Sequence, residues 1–60
     1  MANLNQNEFN SIREVAMCQL NSASKLENYA SMCTCQETKS MFSTAAQSAR
    51  QSATKLTNML

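Results

Sequence analysis

Met32-Cys33-Thr34-Cys35 puts three sulfur side chains within four residues, and a third thiol stands earlier in the chain at Cys18. Thioether and thiolate are soft ligands that suit Cu(I), and two copies of such a Cys-x-Cys segment supply the four thiolates of a Zn²⁺ site. Three thiols cannot all pair within one chain, so at least one stays free or bonds to another molecule. A Cys33–Cys35 disulfide would close a small, strained ring. If both lie on one helix, Cys18 is roughly 22 Å from Cys33 along the axis and out of its reach. Three readings of the cysteines therefore stand side by side. They are small buried hydrophobes, they cross-link separate chains through Cys18, Cys33 or Cys35, or Met32, Cys33 and Cys35 hold a metal ion. Met17 and Met41 read as filler in a core or an interface.

Other chemistry is poorly served. The chain has no histidine, so Cys-His and Ser-His pairs are excluded, and without glycine it has no phosphate-cradling loop. Glu8, Glu14, Glu27 and Glu37 are not followed by the histidine that di-iron bundles place three residues on. No enzyme activity and no cofactor are expected. Glu14 and Glu27 read as outer-face solvating groups, and Glu37 as part of a cap.

The elements that must position the thiols are helices. Neither glycine nor proline occurs in the 60 residues, which removes the residues that tight turns and bulges usually need. Thr34-Cys35-Gln36-Glu37 has the Ser/Thr-x-x-Glu form of a capping box and marks a helix start in mid-chain. Before it, Phe9, Ile12, Ala16, Gln19, Ala23, Leu26, Ala30 and Cys33 recur at spacings of three and four. A first helix is expected over about 5–32, with Asn3 or Asn5 as its N-cap and Glu8 in its first turn. A second is expected over about 35–59, with Phe42, Ala45, Ala49, Leu56 and Met59 on its stripe, flanked by Met41, Ala46, Ala53 and Leu60. The fold class is all-α, a single antiparallel two-helix hairpin over residues 1–60.

A pair of helices alone buries less than compact domains of this length. The hairpin is therefore expected to associate with copies of itself, into a four-helix bundle or a larger array. The assembly core would comprise Phe9, Ile12, Ala16, Ala23, Leu26 and Ala30 on the first helix, with Phe42, Ala45, Ala49, Ala53, Leu56 and Leu60 on the second. Serine, threonine, asparagine and glutamine make up 25 residues against nine charged ones, and the net charge is +1. Such a surface lacks the repulsion that keeps copies apart. Arg13, Lys25, Lys39, Arg50 and Lys55 are scattered, which argues against a nucleic-acid partner. The longest apolar run, residues 15–18, is too short to cross a bilayer, so no membrane partner is expected. The first residues have neither the basic nor the apolar region of a signal peptide, and cytoplasmic synthesis without one is the expectation.

From about Val15 to Leu60 the chain resembles the helical hairpins of the spore coat protein F family, within the broader ferritin-like group. The residues that carry the likeness are Lys25-Leu26-Glu27-Asn28-Tyr29-Ala30 before the turn, Thr38-Lys39-Ser40-Met41-Phe42 after it, and Leu56-Thr57-Asn58-Met59-Leu60 at the end. The N-terminal helices of that family have no counterpart here, nor do ferritin-like iron ligands. The resemblance implies a structural protein of a spore coat or comparable layer, made in the cytoplasm, deposited on the spore surface and in contact with itself and other coat proteins. Two alternatives stand beside it, a small sulfur-ligand metal-binding protein and a helical adaptor for a larger coiled-coil partner.

Overall fold

The computed structural model describes residues 4–60, which form two helices, α1 (Gln6–Met32) and α2 (Gln36–Thr57), packed against each other as a hairpin. The Cα trace extends 46 × 15 × 9 Å. Both helices have the expected places, and α2 stops two residues early because Met59 and Leu60 turn back to the carbonyls of Leu56 and Thr57 at 3.1 Å each.

A capping box does start a helix, but it starts α1. The Asn5 side-chain oxygen accepts from the Glu8 amide at 2.8 Å, and the Asn5 amide donates to the Glu8 carboxylate at 3.1 Å. Two amides that α1 would leave unpaired are thereby satisfied. The alternative cap, Asn3, lies outside the described residues.

The box expected at Thr34 and Glu37 does not form. Cys33 and Cys35 both have extended backbone, with ψ of 138° and 121°, so the chain stays out of helical geometry one residue longer and Cys35 becomes the N-cap of α2. Its carbonyl accepts the first intrahelical bond, from the Lys39 amide at 3.0 Å. Glu37 thus sits one place too early to reach back, and Thr38 takes the position that a box needs. No described residue has positive φ, so this connection turns without glycine.

Among the described residues the buried hydrophobics are six alanines: Ala16, Ala23 and Ala30 on α1, and Ala46, Ala49 and Ala53 on α2. On α1 these recur every seven residues, with Gln19 and Leu26 half-buried between them and Ile12 and Cys33 half-buried beyond either end. The α1 stripe is as expected, except that Phe9 at its N-terminal end is left exposed. On α2 the stripe needs correction. Ala45 is exposed and its neighbour Ala46 is buried, Met59 is exposed, and Leu60 is half-buried. The seam runs through residues 39, 42, 46, 49, 53, 56 and 60. Spacings of three and four from Phe42 to Ala49 fit either 45 or 46. The 46 line continues through Ala53, whereas the 45 line continues through polar Ser52.

Alanine on both sides of the seam lets the helices approach closely. It also leaves the bulky apolar groups outside. Val15, Met17, Tyr29, Met32 and Met41 are all exposed, Met32 to 69%.

Candidate functional site: the thiol-bearing tip and the two faces of the hairpin

The connection between the helices sets Cys33, half-buried, and Cys35, exposed, at one end of the molecule beside exposed Met32. Behind them Tyr29 of α1 meets Phe42 of α2, with ring centroids 6.0 Å apart and planes inclined by 50°. Tilted pairs at this separation are a favourable aromatic geometry. This contact braces the helices next to the turn.

The Cys35 sulfur occupies the place of a capping oxygen. It makes no full cap hydrogen bond, yet the Thr38 amide, the Thr38 hydroxyl and the Glu37 amide are turned toward it and lower its pKa below the ordinary cysteine value. Donors aimed at the sulfur favour thiolate, the form that attacks disulfides. Exposure and donors together favour ionisation of Cys35 in contact with solvent.

Cys18 stands apart, exposed on α1. A shallow groove beside it is lined by Arg13, Glu14, Met17 and Lys25 among others. All three cysteines are free thiols. Among the described residues no group of three or more histidine, cysteine, aspartate or glutamate side chains converges as a metal site. The tip offers Cys33 and Cys35 with Met32, and Cys18 is not brought to it.

Sequence reasoning missed an ion pair. Glu27 was expected to be free on the outer face, but the Arg50 guanidinium reaches across the seam and grips its carboxylate at two points, Nε to Oε2 at 2.8 Å and Nη2 to Oε1 at 2.6 Å. The two-point hydrogen bond, then the charge of Arg50, lower the pKa of Glu27. Only the hairpin register could have revealed it. Once Ala23 is known to pack on Ala46 and Ala49, Glu27 and Arg50 fall within reach across the seam. On α1 alone, Arg13 lies 6.0 Å from the Phe9 ring centroid, a cation–π contact.

No family model, curated protein or solved structure matches this chain. The resemblance to the spore coat protein F family therefore rests on the residues quoted for it. No helix among the described residues is long and apolar enough to cross a membrane.

Proposed function

We propose that this chain is a structural protein that works by assembling with copies of itself, in a spore coat or comparable protein layer, with its thiols joining neighbouring molecules. The observation that carries the reading is the inverted distribution of apolar groups: alanines fill the seam, while valine, leucine, tyrosine and methionine side chains face solvent. Side chains of that size gain about 1.5–3 kcal/mol each on full burial. A second molecule supplies the surface that one hairpin lacks. The near-neutral, amide- and hydroxyl-rich exterior offers little charge repulsion against close approach.

The thiols extend the same reading. Cys18 and Cys35 are exposed at two separate places on the molecule, so each chain has two points of linkage, enough to join molecules one after another into a linear series. In each linkage two thiols give up two protons and two electrons to a disulfide oxidant such as oxidised glutathione, which leaves as two thiols.

Sedimentation and circular dichroism over a dilution series, under reductant, test the assembly. Oligomers should give way to smaller species as helicity falls. A cooperatively folded monomer at every concentration overturns the proposal. Non-reducing gels after treatment with oxidised glutathione test the linkage. The full chain should form a ladder that reductant collapses, and Cys18→Ser should shorten it.

A further inference from the structure

Cys33, Thr34 and Cys35 make up the whole connection between α1 and α2. Inside a helix, residues two apart do not face each other, and their thiols could not meet. Here neither cysteine is inside one. Cys33 is the C-cap of α1, Cys35 is the N-cap of α2, and both have extended backbone. Two peptide units keep their Cα atoms within roughly 7 Å of each other, and disulfides span Cα separations of about 4.4–6.8 Å. The Cys35 side chain makes no cap hydrogen bond that would fix it in place. A ring this small is strained, and strained or exposed disulfides are the readily reduced ones, suited to exchange and not to holding a fold.

We infer that Cys33 and Cys35 act together as a thiol–disulfide exchange site, which takes a disulfide from a small substrate such as oxidised glutathione and passes it to Cys18 of another copy of this chain. The transfer to Cys18 rests on the thiol linkage proposed above, and the steps before it do not. Access orders the steps. Cys35 is exposed and Cys33 half-buried, so Cys35 meets the substrate. Its thiolate attacks one glutathione sulfur, the substrate S–S bond breaks, and one glutathione leaves with the proton that Cys35 gave up. The Cys33 thiolate then attacks the Cys35 sulfur, the bond to glutathione breaks, and the second glutathione leaves with the Cys33 proton. The chain has now lost two electrons and two protons and holds a Cys33–Cys35 disulfide. The Cys18 thiolate of another chain attacks the exposed Cys35 sulfur, which forms a Cys18–Cys35 bond and returns Cys33 as a thiol that takes up the Cys18 proton.

Linkage without Cys33 has a weakness that the pair removes. Glutathione bonded to Cys35 caps it, and glutathione bonded to Cys18 of the next chain caps that one, and two capped thiols do not join. Cys33 is tethered two residues from Cys35, at an effective concentration that a separate molecule does not match, so it expels the glutathione first. Cys18 has no such companion, since Cys33 lies roughly 22 Å further along α1. Ring strain then favours handing the bond on, because the Cys18–Cys35 product contains no small ring.

The full chain carrying Cys18→Ser, kept dilute and treated with oxidised glutathione, tests the pair. After acid quenching, mass spectrometry should find a monomer lighter by two hydrogens and free of glutathione, with fragmentation placing the bond between Cys33 and Cys35. The chain carrying both Cys18→Ser and Cys33→Ser should instead keep one glutathione, on Cys35. Glutathione retained on Cys35 to the same extent in both chains overturns the exchange site. Transfer is tested by freeing the oxidised Cys18→Ser chain of glutathione and mixing it with a reduced chain carrying Cys33→Ser and Cys35→Ser. A covalent dimer through Cys18 and Cys35 should appear on non-reducing gels, and a Cys33–Cys35 disulfide that persists without any dimer overturns the transfer. An unaltered chain that forms no ladder while its Cys33–Cys35 pair oxidises overturns the linkage between molecules, and the transfer with it, while the exchange with glutathione stands.

Discussion

Glu27 and Arg50, 23 residues apart in sequence, are joined by two hydrogen bonds of 2.6 and 2.8 Å across the hairpin. Their side chains are 50% and 45% exposed, so water and salt screen the pair. Its main effect is on register. A fork that grips both carboxylate oxygens fits one sliding position of the helices, whereas the alanine seam has little relief to resist a slip of one heptad.

The pair predicts a pH dependence. Because Arg50 lowers the pKa of Glu27, the carboxylate contributes stability that is fully present above its unfolded value near 4.5 and is lost as pH falls through the lowered folded value. Arg50→Ala should lower the melting temperature at neutral pH, and the difference from the unaltered chain should close in acid. Raising the salt to about 1 M, where the Debye length is roughly 3 Å, should shrink it as well. A difference equally large in acid would assign the effect of Arg50 to the packing of its methylene stem.

The seam predicts an asymmetry between adjacent residues. Ala46→Leu inserts three carbons where two helices meet and should cost about 1–3 kcal/mol. Ala45→Leu adds the same three carbons at an exposed position and should stay within about 0.5 kcal/mol. Chemical denaturation at matched protein concentration measures both. Equal losses would move the seam off Ala46.

The all-α hairpin was legible because absent breakers and three-four periodicity act locally, and Ala16, Ala23 and Ala30 repeat without ambiguity. The choice between Ala45 and Ala46 was not local. Both satisfy the spacing to Phe42 and Ala49, and the polarity of Ser52 against Ala53 decides only when the whole length of α2 is weighed. The cap at Thr34 failed for a related reason. Box spacing identifies residues able to cap, but the extended backbone through Cys35, which the chain needs to reverse direction, shifts the helix start by one. Glu27–Arg50 depended on register, which no single helix encodes. Of the candidate site, the thiols' separation was readable, and the donors that Thr38 turns toward Cys35 were hidden by the misplaced cap.

Cys35 should react as an activated thiol. In the folded chain its alkylation by iodoacetamide, followed by mass spectrometry across pH, should reach half its maximum rate at lower pH than in the same chain unfolded in urea. Thr38→Val removes the hydroxyl and keeps the amide, so part of the shift should remain, because the amide is its largest cause. An identical profile in the folded and unfolded chains would show that the donors have no hold on the sulfur.

The caps supply the last prediction, because Asn5 caps α1 as its sequence advertises whereas Thr34 does not cap α2. Asn5 accepts from the Glu8 amide and donates its own amide to the Glu8 carboxylate, so Asn5→Ala loses the first bond and leaves a helix-terminal amide without its partner. The cost should be about 0.5–2 kcal/mol, and Asn5→Gly should cost only a few tenths. Thr34 is exposed and stands one residue before the true cap, so Thr34→Ala should change stability by less than about 0.5 kcal/mol. Urea denaturation of the three variants at one protein concentration, well above that of half-dissociation, keeps association from masking the comparison. A Thr34→Ala loss as large as that of Asn5→Ala would restore the mid-chain box and place the start of α2 at Cys35.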